Sequence, residues 1–261
     1  MSTSIITSIH NPQVKKWRLL NKSRAERISQ GLFVAEGEHM VQEALQSRAV
    51  AALLIAESAQ SKFEQLLKDA PSVQVLADHV FASLCETKSP QGVLALCPYP
   101  ASIVMESLGN RIVCLNAVQD PGNVGTILRT MDAAGFTGLL IDEKTADPYS
   151  PKVLRATMGS IFRIPVMQTK HLAETLASLQ QKDFEILAGD LTGQPFFSPR
   201  ERKKNTCIII GNEGAGISPE IKEKATLRLK IPMTGGAESL NAAVAAAVMM
   251  YDDVRARIID P

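Results

Sequence analysis

The C-terminal part of the chain alternates apolar runs of strand length with helical patterns. The apolar runs span 111–118, 137–142, 184–190, 207–213 and 227–232. Helical patterns lie between and after them, near 123–134, 151–159, 171–181, 218–224 and 239–257. This alternation predicts an α/β fold with a mostly parallel sheet and helices on both faces. Ligands of such sheets bind beyond the carboxyl ends of the strands, so the loops after 111–118, 207–213 and 227–232 are the places to seek chemistry.

A smaller mixed pattern precedes this region. Residues 11–30 are basic and helical in pattern, and 39–47 are also helical. Short apolar runs predict strands at 31–37, 51–56, 73–77 and 92–97. The stretch 99–110 has no period and includes a proline and a Gly-Asn pair, which is typical of a linker. We therefore predict a small α/β domain over 1–98 and a second domain over 111–261.

Composition and charge narrow the class of protein. The chain has 261 residues, 45% of them hydrophobic and 21% charged, which predicts a soluble globular protein with a real core. Its net charge of +1 excludes a global basic field, so any RNA affinity must come from local clusters. One cluster is Lys15, Lys16, Arg18, Lys22, Arg24 and Arg27, and another is Arg200, Arg202, Lys203 and Lys204. A solvated helix face or loop is the commoner explanation of such clusters.

The four cysteines, at 85, 97, 114 and 207, show no metal-binding pattern. No pair has C-x-x-C spacing and no histidine lies near enough to complete a zinc site, so we predict no metal. Unpaired cysteines inside apolar runs fit a reduced, cytoplasmic compartment. The most apolar stretch, 240–250, is too short to span a bilayer, and the first residues show no secretory leader. No membrane association is expected.

The first candidate loop is 119–130. Pro121 and Gly122 predict a turn, and Asn123 stands near a helix start, where its side chain can cap the helix or project into the crevice. Arg129 follows six residues later. Taken alone, this loop is explained more simply as a capped helix that carries an exposed arginine.

The second and third loops also carry polar residues among glycines. Residues 208–218 place Glu213 within glycines 211, 214 and 216, in an order that is neither a dinucleotide motif nor a Walker loop. Residues 231–252 predict Ser239 as an N-cap and Asn241 in the first turn of a helix of small and apolar residues. The apolar helix is expected to be buried on several sides, in the core or against a second subunit.

Together the three loops resemble the motifs of the SpoU/TrmH family of RNA 2′-O-ribose methyltransferases, within the SPOUT superfamily. The first motif, N-x-G-x-x-x-R, matches Asn123, Gly125 and Arg129. The second, G-N/S-E-G, matches 211–214, and the third, I-P-M-x-G-x-x-x-S-L-N, matches 231–241. Residues 150–166 are similar to the family's linker between the first two motifs. The N-terminal part resembles the substrate-binding domain of members that act on rRNA. Three segments carry this resemblance: NPQVKKWRLL, FVAEGEHMVQEAL and SPQGVLAL.

The resemblance implies methyl transfer from S-adenosylmethionine (AdoMet) to a ribose 2′-hydroxyl of structured RNA, with ribosomal RNA as the expected substrate. It also implies a deep trefoil knot in the C-terminal domain and a homodimer formed through that domain. The implied cofactor-binding residues are Gly211, Asn212, Gly214, Ile231, Met233 and Leu240.

The resemblance also implies roles for polar residues. Arg129 is the family residue linked to the proton transfer, but arginine stays protonated in proteins, so we assign it the task of holding an RNA phosphate and stabilising developing charge. Asn123, Ser239 and Asn241 would position the ribose and the loop, and Glu213 would order the motif loops. The expected RNA contacts are Lys15, Lys16, Arg18, Arg24, Lys152 and Arg155.

Other functions remain as alternatives. A tRNA 2′-O-methyltransferase and a non-catalytic RNA-binding factor for ribosome assembly would use the same scaffold. The second alternative predicts loss of motif residues, and none is lost. A Rossmann methyltransferase is excluded because DPGN, and not a glycine-rich motif, follows the strand at 111–118. A serine hydrolase has no support, since none of the four histidines lies in a triad motif.

Overall fold

A computed structural model describes residues 5–198 and 202–259 of the protein. The chain divides into two compact units. The first contains Met1–Ala101 and Tyr149–Arg163, and the second contains Ser102–Pro148 and Ile164–Pro261. A short piece from the middle of the chain therefore belongs with the N-terminal unit, although it lies far beyond the predicted linker in sequence. Among the residues that the structure describes, no helix has the length and apolarity that crossing a bilayer requires.

The first unit is a four-stranded sheet covered by helices. Its strands are β1 (Leu32–Glu36), β2 (Ala52–Ala56), β3 (Val73–Leu76) and β4 (Val93–Pro98), in the order β1-β4-β2-β3. Its helices in the N-terminal part are α1 (Pro12–Lys22), α2 (Arg24–Gln30), α3 (Glu38–Gln46), α4 (Glu64–Lys68) and α5 (Asp78–Ala82). The basic helical region divides at Ser23, whose hydroxyl accepts a hydrogen bond from Glu26 N and so starts a new helix. The small α/β domain expected here is confirmed.

The central piece of the first unit is fixed to the sheet and to α3. It forms a short helix, α7 (Pro151–Thr157). The Tyr149 ring lies 5.1 Å from the Phe33 ring and 4.8 Å from the Tyr99 ring, measured between centroids. Arg163 pairs with Glu43 of α3. Aromatic packing and an ion pair thus bind 149–163 to the N-terminal unit.

The second unit is a six-stranded, wholly parallel sheet in the order β10-β8-β9-β5-β6-β7. Its strands are β5 (Arg111–Asn116), β6 (Gly138–Ile141), β7 (Val166–Gln168), β8 (Phe184–Pro195), β9 (Asn205–Gly211) and β10 (Leu227–Lys230). Its helices are α6 (Pro121–Ala133), α8 (Leu172–Gln181), α9 (Pro219–Lys222) and α10 (Ala242–Ile259). The parallel α/β sheet predicted from the alternating pattern is confirmed. The deep knot implied by the resemblance stays a prediction.

Alternate residues of the central strands fill the two faces of this sheet. Ile112, Cys114 and Ile209 are fully buried on one face, together with apolar residues of α8 and α9. On the other face α10 packs against β9 and α6. This packing leaves the carboxyl ends of the strands, and the loops that follow them, on one edge of the sheet.

Two cations of the second basic cluster form ion pairs within the protein. Arg202 forms an ion pair of 2.7 Å with Asp252, which is only 6% exposed, and Lys203 pairs with Asp183. Arg200 lies outside the described residues. Two of the cluster's cations are therefore already neutralised by carboxylates, so they are poor candidates for binding phosphate.

Candidate active site

The first two motif loops begin side by side. In the sheet, Asn116 at the end of β5 is paired with Gly211 at the end of β9. Ala117 then takes a left-handed conformation, with φ of 58°. Asp142 holds this turn, because its Oδ2 accepts hydrogen bonds from Asn116 Nδ2 (3.0 Å) and Ala117 N (2.9 Å). Asp142 was not among the predicted site residues, since it belongs to none of the three loops.

The second loop is attached to this turn by Asn212. Its Nδ2 donates to Ala117 O (2.8 Å), and its Oδ1 accepts from Gly214 N (3.0 Å) and Ala215 N (2.9 Å). Asn212 and Gly216 also exchange two backbone hydrogen bonds. The Asn212 side chain is thus occupied by the protein itself, and its contribution to the site is the shape of the loop.

Glu213 connects the second loop to the first. Its carboxylate accepts hydrogen bonds from Gln119 N (3.2 Å), Asp120 N (3.1 Å) and Asn123 Nδ2 (2.9 Å). Partial burial would raise the pKa of Glu213, but the hydrogen bonds from Asn123 and from the backbone N–H groups of Glu213, Asp120 and Gln119 bring it below its usual value. The carboxylate is therefore ionised at neutral pH, as a clamp between two loops requires.

The third loop joins the same network through Asn241. Its Nδ2 donates to Asn123 Oδ1 (2.9 Å), while its Oδ1 accepts from Ala243 N (2.9 Å) and Val244 N (3.3 Å). Asn241 is therefore the residue that caps α10. The prediction that Ser239 is the N-cap and Asn241 lies in the first turn is wrong, because the helix begins at Ala242. The cap is placed by the contact with Asn123, which sequence cannot reveal.

Arg129 lies outside this hydrogen-bonded network. Asn123 is 8% exposed and faces the core side of α6, whereas Arg129 is exposed on another face of the same helix. The Arg129 side chain makes no hydrogen bond or ion pair with any residue that the structure describes. An exposed cation without a carboxylate partner is available to an anionic ligand.

A cavity of about 320 Å³ lies beside the network. All six residues predicted to bind a cofactor line it, and so do Glu213 and Ser239. The wall also contains Gly189, Asp190 and Leu191, which sequence reasoning missed. A signal was present, since Gly-Asp ends the apolar run at 184–190, but the three candidate loops follow other strands. That these residues bind a cofactor stays a prediction.

The predicted RNA-binding residues all fall in the first unit. Lys15, Lys16, Lys152 and Arg155 are exposed, whereas Arg18 is half-buried and donates a hydrogen bond to Ser83 Oγ (2.9 Å). Arg24 is also half-buried. Lys152 and Arg155 belong to α7, and Arg155 lines a small crevice with Asn21 at the end of α1. Cations that are distant in sequence therefore belong to one compact unit.

Comparison with known proteins identifies the family. The model of the SpoU rRNA Methylase family matches residues 110–251, which include all three motif loops. The chain belongs to this family. The model of an MRM3-like substrate binding domain matches residues 11–95, most of the first unit.

Relatives of this SpoU-family chain match it over nearly its whole length. The 23S rRNA (guanosine(2553)-2′-O)-methyltransferase RlmP of Bacillus subtilis is 34% identical over 246 residues, 94% of this chain and 97% of the relative. The crystal structure of the SpoU methyltransferase AviRb of Streptomyces viridochromogenes with AdoMet has a TM-score of 0.88 at 28% identity, covering 95% of this chain and 99% of that one. An AdoMet-bound rRNA methyltransferase of Sinorhizobium meliloti has a TM-score of 0.84 at 29% identity, covering 99% of both chains.

The cavity of this SpoU-family protein fits AdoMet as its cofactor. Its volume is that of a small-molecule site, and its wall is largely apolar, with Ile209, Leu229 and Leu240 among its residues. Gly211 brings bare backbone to the wall, where a Cβ would lie only 2.3 Å from Gly216 C. A close backbone surface with apolar sides suits the planar base and the carbon chain of AdoMet.

Replacement of Glu213 by glutamine should loosen the loops of this SpoU-family site. The glutamine amide would point an N–H donor at the N–H groups that now donate to the carboxylate. We therefore expect the free energy of unfolding to fall by about 1 kcal/mol. The value is modest because Glu213 is exposed to water. Urea unfolding measures this change. Glu220→Gln, an exposed change at the start of α9, is the matched control.

The pH dependence of that difference has a definite sign. Since the pKa of Glu213 is lowered on folding, its ionised form stabilises the protein above the unfolded value of about 4.5, and this stabilisation is lost as pH falls through the folded pKa. The difference in the free energy of unfolding between the unsubstituted protein and Glu213→Gln should be largest near neutral pH and shrink below about pH 4. A gap that stays constant down to pH 3 would contradict the clamp role.

Proposed function

We propose that this protein transfers a methyl group from AdoMet to a ribose 2′-hydroxyl of ribosomal RNA. The observation that carries the proposal is the hydrogen-bonded chain Glu213–Asn123–Asn241, which joins the three motif loops beside a cavity suited to the cofactor. The Bacillus relative, whose name specifies 2′-O-methylation of 23S rRNA, supports the choice of reaction and substrate.

In this reaction the protein must bind the cofactor, orient the ribose and stabilise charge. Bound AdoMet supplies an electrophilic methyl group on a sulfonium. Gly211, Ile231, Met233 and Leu240 hold it in the cavity. Asn123 is fixed from both sides, by Glu213 and by Asn241, so the first motif loop keeps one geometry when RNA arrives. Ser239 lines the cavity with no hydrogen bond to the described part of the chain, which leaves its hydroxyl available to the ribose.

Arg129 stabilises the charge that develops on the attacking oxygen. The 2′-hydroxyl loses its proton to solvent water as its oxygen bonds to the methyl carbon, and the sulfur departs as a neutral thioether. The guanidinium stays protonated and cannot accept the proton, but it can hold a neighbouring phosphate and the forming alkoxide. Its exposed position without a partner among the described residues supports this role.

Identification of the methylated nucleoside tests the proposed function. Purified protein would be incubated with methyl-labelled AdoMet and with ribosomal RNA or tRNA that lacks modifications. After nuclease digestion, mass spectrometry should find one 2′-O-methylnucleoside from ribosomal RNA. Label found only in tRNA would contradict the ribosomal substrate, and label on a base would contradict ribose methylation. Absence of label with RNA binding intact would favour the non-catalytic assembly factor.

The cations of α7 extend the RNA-binding surface of the first unit. Lys152→Gln combined with Arg155→Gln should weaken RNA binding and reduce the slope of log K against log salt by about 1.4 to 1.8, since each phosphate contact contributes about 0.7 to 0.9. Filter binding over a salt series measures the slope. Lys68→Gln is the matched control, because Lys68 is already paired with Glu64 at 3.1 Å. An unchanged slope would remove α7 from the RNA-binding surface.

A homodimer through α10 is part of the proposal. The helix exposes an apolar stripe at helical spacing, with Val244 48%, Tyr251 50% and Ile258 73% exposed, on the side away from β9 and α6. Tyr251→Arg should convert a dimer into a monomer in sedimentation velocity, with an unchanged circular dichroism spectrum. Ile28→Arg, at an apolar residue of α2 that is 55% exposed, should leave the dimer intact. A monomeric unsubstituted protein would contradict this assembly.

We also infer a cytoplasmic location. All four cysteines are free, and Cys97, Cys114 and Cys207 are buried, as expected of a protein kept in a reducing compartment.

A further inference from the structure

A second cavity lies next to the cofactor cavity, at the same edge of the sheet. Its volume is about 400 Å³, and its lining comes from the end of β8, the turn that follows and the end of β10. Along one stretch of backbone the residues alternate between the two cavities. Lys230 and Pro232 line the second cavity, whereas Ile231 and Met233 line the cofactor cavity. The backbone of residues 230–233, at the end of β10, thus separates the two cavities.

The second cavity presents an exposed aromatic ring on a firmly held turn. Phe197 is 66% exposed, while Phe196 beside it is only 1% exposed. The two rings meet edge to face, with centroids 5.1 Å apart and an interplanar angle of 80°. Phe196 N donates to Lys230 O (3.0 Å), and Ser198 N donates to Pro195 O (3.2 Å). The buried neighbour and these bonds hold the Phe197 backbone, so its ring can serve as a platform.

The charge around this ring suits a nucleic acid. Lys230 is exposed and has no ion-pair partner within 5–198 and 202–259. None of the described residues that line the second cavity is acidic. An aromatic face beside an unpaired ammonium group is the combination that binds an unpaired base together with its phosphate.

We propose that Phe197 and Lys230 bind an unpaired nucleotide of the RNA that lies close to the methylated ribose, with the base stacked on Phe197 and its phosphate near Lys230. This inference rests on the proposed function, because it takes the cofactor cavity to be the place where RNA is methylated. RNA is a polymer, so nucleotides that flank the acceptor must pass along the same edge of the sheet. A stacking site there would hold the flanking nucleotide and so place the acceptor.

Substitutions at Phe197 separate stacking from simple apolar contact. Phe197→Ala and Phe197→Leu should both raise the KM for ribosomal RNA, by about 5- to 100-fold, because stacking needs a π-face. Phe197→Tyr should stay within about twofold of the unsubstituted protein. kcat at saturating RNA and the calorimetric Kd for S-adenosylhomocysteine should not change in any of the three. Val104→Ala, at an exposed apolar residue elsewhere in the second unit, is the matched control. A Phe197→Leu variant with unchanged KM would overturn the stacking role.

A fluorescent variant gives a second readout that does not depend on catalysis. The chain has one tryptophan, Trp17, so Phe197→Trp adds a signal that is obtained by subtracting the spectrum of the parent protein. Single-stranded hexa-adenylate should quench the added tryptophan, whereas an abasic oligomer of equal length and charge should not. Equal quenching by both oligomers, or no quenching, would overturn base stacking. If the added tryptophan is quenched without RNA, and more strongly at higher protein concentration, a second copy of the chain covers this position. That result also overturns the proposal.

The two proposals fail in different ways. If the unsubstituted protein transfers no methyl group to any RNA, the proposed function fails whatever hexa-adenylate does to the tryptophan. If methyl transfer occurs and Phe197→Ala has a normal KM, the proposed function stands and the stacking site is absent.

Discussion

Replacing Arg129 by alanine should lower kcat for methyl transfer by about 100- to 1,000-fold, the usual cost of removing one group that stabilises transition-state charge. Binding of S-adenosylhomocysteine should be unchanged, because Arg129 does not line the cofactor cavity. The fold should also be unaffected, since the Arg129 side chain is exposed and contributes no hydrogen bond or ion pair to the described structure. Single-turnover kinetics with labelled AdoMet and isothermal calorimetry measure the two quantities.

Chemical rescue distinguishes a charge clamp from a general base at this position. Millimolar guanidinium should restore part of the activity of Arg129→Ala, whereas imidazole, which can accept a proton at neutral pH, should not. Arg129→Lys should recover only part of kcat, because an ammonium group lacks the planar fork that binds phosphate in a bidentate manner. Arg228→Ala, at an exposed arginine of β10 outside the site, controls for general charge loss.

Two results would contradict the assignment of Arg129. Rescue by imidazole would support proton abstraction at this position. Loss of S-adenosylhomocysteine binding in Arg129→Ala would mean that the arginine shapes the cofactor cavity from a distance. Either result would require a different account of how the 2′-hydroxyl is activated.

The alternating pattern predicted most of the parallel sheet, because each strand buried on both faces must be a continuous apolar run. It did not predict β7, which has only three residues, Val166–Gln168, and follows a loop that contains proline. A strand so short has too little sequence to show a period. It is stabilised by pairing with β6, a contact distant in sequence.

The motifs identified the site loops, but hydrogen bonds between loops decide what each residue does. Both Ser239 and Asn241 are residue types that cap helices, and only the bond between Asn241 and Asn123 places the cap. Asp142 holds the Ala117 turn from the end of β6, outside every motif. Such roles depend on contacts between strands that are neighbours in the sheet and not in the sequence, so a pattern of residues cannot show them.

The two glycines of the second motif, Gly211 and Gly214, differ in how much space surrounds them. A Cβ on Gly211 would lie 2.3 Å from Gly216 C and 2.3 Å from Ile217 N, both of them backbone atoms that can move only if the turn opens. On Gly214 the nearest atom would be Asn212 Oδ1 at 3.7 Å, an ordinary contact. The first glycine is therefore required by packing, and the second is not.

Gly211→Ala should accordingly weaken S-adenosylhomocysteine binding by about 100-fold and reduce the free energy of unfolding by about 1 to 3 kcal/mol, the usual range for overpacking. Opening the 211–216 turn would also move Asn212 and Glu213, so the link to Asn123 should be lost and kcat should fall with the affinity. Calorimetry and urea unfolding measure the two effects. Circular dichroism checks that the sheet is retained.

Gly214→Ala is the matched control, since it adds the same methyl group three residues away in the same loop. It should bind S-adenosylhomocysteine within about twofold of the unsubstituted protein, because its Cβ meets only an ordinary van der Waals contact. Equal losses in the two variants would mean that both glycines contact the cofactor directly. A normal Gly211→Ala variant would mean that the turn opens at little cost, and the close approach of its backbone to the cavity would then not be what binds the cofactor.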